Sequence, residues 1–93
     1  MPIRNILVVE DSPTDQKYLT DILVKKGYNV STAETGEEAV AKARQLQPDL
    51  VLMDIVLPGQ NGFQATRELS KDAKTRHIPV IICTTKGQET DRL

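Results

Sequence analysis

Three places in this 93-residue chain put groups able to do chemistry directly after an apolar run. Glu10-Asp11 follow Ile6-Leu7-Val8-Val9, Asp54 follows Leu50-Val51-Leu52-Met53, and Thr84-Thr85 follow Pro79-Val80-Ile81-Ile82-Cys83. A carboxylate on the end of a buried strand is costly unless it is solvated, paired or holding a metal. Carboxylates gathered at one spot repel each other, and at least one resists ionising unless a cation joins them. Oxygen-only ligands suit a hard divalent ion. Mg2+ takes one or two carboxylates, keeps several waters, and often completes its shell with a substrate phosphate. Such a cluster beside a hydroxyl suits phosphoryl transfer, with a carboxylate attacking phosphorus and the hydroxyl donating to the transferred group. Asp54 is the best nucleophile candidate, because it alone ends the central apolar run.

Those groups meet only if the chain folds to bring the three run ends together. Ile6 to Val9 reads as a buried strand, and Ser12-Pro13 as a helix start with Pro in the first turn. Leu19, Ile22 and Leu23 fall at helical spacing, and Gly27 closes that helix. Tyr28 to Thr32 suggests a second, less buried strand. Thr35-Gly36-Glu37-Glu38 fits a capping box, with Glu38 reaching back to the cap. Ala39, Val40, Ala43 and Leu46 give the following helix its apolar face, and Pro48 follows its end. Leu50 to Met53 is the third strand. Gly62 to Leu69 starts a third helix, with Phe63, Thr66 and Leu69 expected inward. Pro79 to Cys83 is the fourth strand, and Gln88 to Leu93 begins a fourth helix. A β-α-β-α-β-α-β order with continuous apolar strands predicts a parallel sheet covered by helices on both faces. In such a sheet all carboxyl ends lie on one edge, where ligands bind. Glu10, Asp11, Asp54 and Thr84 are therefore expected at one site.

Composition narrows the function. Ninety-three residues make one domain, and 39% hydrophobic with 27% charged residues is ordinary for a soluble globular chain. Twelve Lys and Arg are interspersed with thirteen acids for a net charge of −1, so direct nucleic-acid binding is not expected. No run reaches the roughly 18 apolar residues of a membrane helix, and the N-terminus lacks a signal-peptide pattern, so a cytoplasmic location is the expectation. The lone Cys83 reads as a small buried hydrophobe, His77 as a surface residue, and Tyr18, Tyr28 and Phe63 as packing. No G-x-x-x-x-G-K-[ST] loop exists, which excludes a P-loop triphosphatase. An aspartyl phosphatase would need a second acid two residues past Asp54, where Val56 stands.

These residues carry a resemblance. The chain resembles the CheY-like receiver domain of two-component response regulators in its Glu10-Asp11 pair, the Asp54-Ile55-Val56-Leu57-Pro58-Gly59 loop, Asn61-Gly62, and the strand ending at Thr84. "LVLMDIVLPGQNGFQATREL" and "IPVIICTTKGQETD" look closest to stand-alone receivers of the chemotaxis-like systems that control type IV pili. The resemblance implies a flavodoxin-like doubly wound α/β fold with strand order 2-1-3-4-5, for which the receiver CheY is a stock example. It implies a phosphorelay switch rather than an enzyme acting on outside substrates. Asp54 would accept phosphate from a histidine kinase; Asp11, Glu10 (mainly through water), Asp54 and the Val56 carbonyl would hold Mg2+; and Thr84 would be the switch hydroxyl. Val56 and Lys86 would tune the lifetime of the acyl phosphate, and Val56, unable to orient water, implies slow self-hydrolysis. The Glu-Asp pair departs from the family's commoner Asp-Asp and leaves metal binding in place.

The larger departure is at the C-terminus. Residues 1–93 read as one receiver domain truncated after the fourth strand, with the fifth βα unit absent. The family's phosphate-contacting lysine goes with it, and Lys86 does not occupy that position. Strand four would then be an apolar edge, which invites self-association. The alternative function is accordingly a truncated or pseudo-receiver, acting as an interaction or dimerisation module without phosphorylation. The downstream target is not readable from the chain.

Overall fold

The computed structural model describes residues 3–54 and 62–83. The segment around Val56, the residues Thr84, Thr85 and Lys86, and the fourth helix expected from Gln88 lie outside the described residues.

Within them the elements alternate as β1 (Asn5–Val9), α1 (Pro13–Lys25), β2 (Asn29–Ala33), α2 (Gly36–Leu46), β3 (Leu50–Asp54), α3 (Gly62–Lys71) and β4 (Val80–Cys83). Local chemistry sets the boundaries. Ser12 caps α1, its Oγ accepting the Asp15 N–H at 3.4 Å, and Pro13 fills the first helical position. Past the helix, Gly27 sits at φ +96°, a conformation that side chains with a Cβ rarely adopt. Thr35 caps α2 by accepting the Glu38 N–H at 3.0 Å, an interaction worth about 1 kcal/mol. The return arm of the expected capping box lands one residue upstream: Glu38 Oε1 accepts the N–H of Glu34 at 2.9 Å. The far end of α2 has no glycine. Gln47 takes the left-handed conformation there, at φ 51°, and its amide nitrogen donates to the carbonyls of Arg44 and Lys74 at 3.2 and 2.9 Å. Those two bonds offset the backbone cost and tie the helix end to the α3–β4 connection.

The strands form one parallel sheet in the order β2-β1-β3-β4, the expected flavodoxin-like order over its first four strands. Val9 pairs with Ala33 on one side and Met53 on the other, and Asp54 pairs with Cys83. Ile6 to Val9 are buried on both faces, as a continuous apolar run in a central strand requires. Leu7, Val9, Val51 and Met53 pack against Ala39, Val40 and Ala43 of α2 and Ala65 and Leu69 of α3 to make the main core. Helix α1 packs on β1 and β2 from the opposite side, where Ile6 and Val8 point by strand alternation.

Two helical faces differ from their sequence reading. Phe63 is 58% exposed, because the buried stripe of α3 runs Gly62, Ala65, Leu69 and begins one residue earlier than expected. Thr66 is half-buried, its hydroxyl donating to the Gly62 carbonyl at 2.7 Å. Leu46 is likewise exposed: the buried stripe of α2 is Gly36, Ala39, Val40 and Ala43, and it stops there.

Three carboxyl groups at element junctions are held below their ordinary values. Asp49 accepts the N–H groups of Asn5 and Arg4, Asp72 accepts the Lys74 N–H and pairs with Arg44, and Glu38 accepts the Glu34 N–H and pairs with Lys42. Each lowered group stabilises the fold fully above its unfolded value and loses that contribution as pH falls through its folded value. In Asp49→Asn the neutral amide mimics the protonated acid. The variant melts below the parent at neutral pH, and the gap narrows as pH falls below the ordinary 3.8 of aspartate. Circular-dichroism melts from roughly pH 7 to 2 measure this, and a gap that stays constant would rule out the linkage.

Candidate functional site

The carboxyl edge of the sheet is where the geometry concentrates charge. Strand β1 runs one residue past its assigned end, since the Glu10 N–H donates to the Ala33 carbonyl of β2 at 2.9 Å. Glu10 is 1% exposed. One carboxylate oxygen of Glu10, Oε2, accepts the Ser12 N–H at 3.1 Å, so the side chain is folded over the turn that opens α1. Asp11, in the middle of that turn, is half-buried. On the neighbouring strand Asp54 is the last residue of β3 and 1% exposed.

Glu10, Asp11 and Asp54 each offer a carboxylate oxygen, and these atoms all lie within 4.8 Å of one another. Among the described residues this is the group of acids that could hold a metal. Two oxygens on one Mg2+ at about 2.0–2.1 Å are at most about 4.2 Å apart. The bound of 4.8 Å therefore fits direct ligation by near neighbours, with a bridging water or a small rotation for a more distant one. An all-oxygen, multiply anionic set buried at a strand edge fits Mg2+ and does not fit a soft metal.

The structure thus brings together the three acids that the sequence singles out, from two strand ends 43 residues apart by number (Asp54 less Asp11). Thr84, the Val56 carbonyl and Lys86 lie outside the described residues. His77 is exposed, as expected, and remote from the acids in the fold. It helps line a cavity of about 530 Å3 at the opposite, amino-terminal edge with Ile3, Pro48 and Asp49. Asp49 there already accepts two backbone N–H groups, and among the described residues the group of three acids lies at the carboxyl edge instead. Sequence reasoning missed Gln16, whose Nε2 donates to the Glu10 carbonyl at 3.0 Å. Its one signal was position: the first residue of α1 to bond back a full turn.

A parallel sheet of order 2-1-3-4 with an acid cluster at its carboxyl edge fits a flavodoxin-like fold with its site at the strand ends. The chain belongs to the response regulator receiver domain family, whose pattern it matches over residues 6–93. It is 62% identical over 91 residues to the protein PilH of Pseudomonas aeruginosa, an alignment covering 98% of this chain and 75% of PilH. Among solved structures, the N-terminal domain of a response regulator receiver protein from Methanoculleus marisnigri JR1 superposes with a TM-score of 0.86 at 36% identity, over 91% of this chain and 69% of that one. The receiver domain of the sensor histidine kinase PA1611 from Pseudomonas aeruginosa gives 0.85 at 35% identity, over 98% and 75% respectively. That structure has a magnesium ion coordinated in its active-site cleft. This chain is therefore a receiver domain homologous to the response regulators of two-component signalling, a family of signalling modules.

If the acids hold a divalent ion, binding must stabilise the folded chain by mass action. Millimolar Mg2+ is expected to raise the melting temperature, and Asp11→Asn to remove most of that rise. Scanning calorimetry with and without Mg2+ reads it. An equal rise in parent and variant would place the ion elsewhere.

Proposed function

We propose that this chain is a phosphorylation switch whose phosphoacceptor is Asp54. The observation that supports this most is the meeting of Asp54, buried and last in β3, with Glu10 and Asp11 from β1. In the transfer, an Oδ atom of Asp54 forms a bond to phosphorus while the P–N bond of the kinase's phosphohistidine breaks. The electron pair returns to the imidazole nitrogen, which takes up a proton from water. Asp11, Asp54 and the Val56 carbonyl, with Glu10 mainly through water, would hold Mg2+, whose charge would offset that of the phosphoryl oxygens. Burial keeps competing water from Asp54, and the Ser12 N–H holds Glu10 in place as the phosphoryl group approaches.

Thr84 is the switch hydroxyl in this reading. It follows Cys83, whose backbone pairs in register with Asp54, and this supports placing it beside the phosphoryl group. Val56 and Lys86 tune the lifetime of the acyl phosphate, and Val56, with no group to orient water, favours a long one. The phosphodonor is a histidine kinase, and the likeness to PilH supports a role in chemotaxis-like control of type IV pili. The cytoplasm is the proposed location; among the described residues no helix is long and apolar enough to cross a membrane.

Intact-mass measurement after incubation with Mg2+ and a small-molecule phosphodonor tests the reading. The expected result is one phosphoryl adduct, absent without Mg2+ and absent in Asp54→Asn. An adduct that survives in Asp54→Asn, or none in the parent, would overturn it.

A second reading has one observation behind it. Strand β4 is the outer strand of the described sheet, and Ile81 on it is 52% exposed. A strand of that kind offers backbone donors and acceptors to another copy. Self-association without phosphorylation then predicts a dimer by size-exclusion chromatography with light scattering, weakened by Ile81→Lys. A sharp monomer peak at tens of micromolar would dispose of it.

A further inference from the structure

We infer that Gln16 is a positioning residue for the metal site, holding both ends of the turn that presents Asp11. The inference rests on the metal-binding role proposed above for Glu10, Asp11 and Asp54.

Gln16 makes two bonds to that turn. Its main-chain N–H donates to the Ser12 carbonyl at 2.9 Å, and its side-chain Nε2 donates to the Glu10 carbonyl at 3.0 Å. Ser12 and Glu10 flank Asp11 on either side. The Glu10 carbonyl is half of the peptide plane that leads into Asp11, so holding that oxygen restrains the plane, while the bond to the Ser12 carbonyl restrains the far side of Asp11. Together they narrow the directions open to the Asp11 Cα–Cβ bond. The first bond is common to any helix. The second depends on an amide side chain of this length at this position.

The rest of the turn is already committed. The Glu10 N–H is engaged by Ala33 and the Glu10 carboxylate by the Ser12 N–H, while the Ser12 hydroxyl caps α1. The Gln16 side chain donates to the Glu10 carbonyl, and so it helps to orient the Glu10–Asp11 peptide. Gln16 itself is half-buried and does not carry charge, so it adds no attraction for a cation of its own. Its contribution is to keep Asp11 aimed at the point where Glu10 and Asp54 converge. Groups that orient ligands in this way, without touching the ion, typically change metal affinity by 10- to 100-fold when removed.

Gln16→Met tests this. Methionine has nearly the same length and helix propensity, keeps the main-chain bond to Ser12, and lacks the donor. The readout is the dissociation constant for Mn2+, by electron paramagnetic resonance of the free ion, on the whole chain. Melting of the metal-free protein is measured in parallel. Asp11→Asn and the exposed-face variant Lys17→Met serve as references. The expected result is Mn2+ binding about tenfold weaker in Gln16→Met, with the metal-free melting temperature close to that of Lys17→Met. Gln16→Asn, whose amide is one methylene too short for the same reach, should bind no better than Gln16→Met. Affinity within twofold of the parent in Gln16→Met would overturn the inference, whatever the effect on melting. Unchanged affinity in Asp11→Asn is a different outcome: it would reject the metal site itself, and the positioning role with it. If Gln16→Met does not fold, the same measurement on Gln16→Asn decides the question by the same twofold criterion.

Discussion

Glu10 and Asp54 end adjacent strands, are each almost wholly buried, and share their corner of the molecule with Asp11. Carboxylates gathered this closely in a poorly solvated place repel when ionised, and hydrogen bonds from the surrounding structure fix the Glu10 end of the cluster. The β1–β2 ladder is extended by one bond to fix the Glu10 backbone. The first turn of α1 donates an N–H to its carboxylate, and Gln16 fastens the carbonyl between the two acids. A chain selected only for stability would place apolar side chains there, since an apolar pair of similar size costs nothing to bury. Acids at these positions fit the switch role proposed above, in which a cation would offset their charge.

The parallel topology is what makes the gathering possible. Each crossover returns the chain to the same end of the sheet, so the carboxyl ends of β1 and β3 adjoin although a helix, a strand and another helix separate them in sequence. The main core lies between the sheet and α2–α3, with Met53 and Val51 directly below Asp54 in the same strand. Packing of that strand therefore sets the height of the phosphoacceptor candidate. The opposite edge is held by a different device, the Asp49 carboxylate bridging the N–H groups of Arg4 and Asn5. Acids thus stand at both ends of the sheet, Asp49 bonded to backbone N–H groups at one edge and Glu10, Asp11 and Asp54 gathered at the other.

How much of this could be read in advance differed by the kind of signal. Strands and their order were legible because a continuous apolar run ending in an acid has few other uses, and the acid cluster followed from parallel topology alone. Helix starts were legible because Ser12-Pro13 and Thr35 are strong punctuation. The inward faces of α2 and α3 were less so. A large apolar residue such as Phe63 or Leu46 draws the eye, yet the buried stripe is built on Gly62, Ala65, Gly36, Ala39 and Ala43, small residues that let helices approach the sheet. Bonds made by side chains to backbone, such as Gln16 to Glu10 or Gln47 to Lys74, leave almost no trace in a pattern of residue types. The left-handed Gln47 is a clear case, standing where glycine would have announced the helix end.

Helix α1 has no fully buried residue, in contrast to α2 and α3, and Tyr18 and Val24 on it are largely exposed. Helices anchored this lightly open by local fluctuation at a lower free-energy cost than the main core. The turn carrying Asp11 is the entrance to that helix, whereas Asp54 belongs to the strand at the centre of the core. The two halves of the acid cluster thus sit on parts of the molecule with different lifetimes. A cation bridging them would join a short-lived element to a long-lived one, and its occupancy would be recorded in how often α1 lets go.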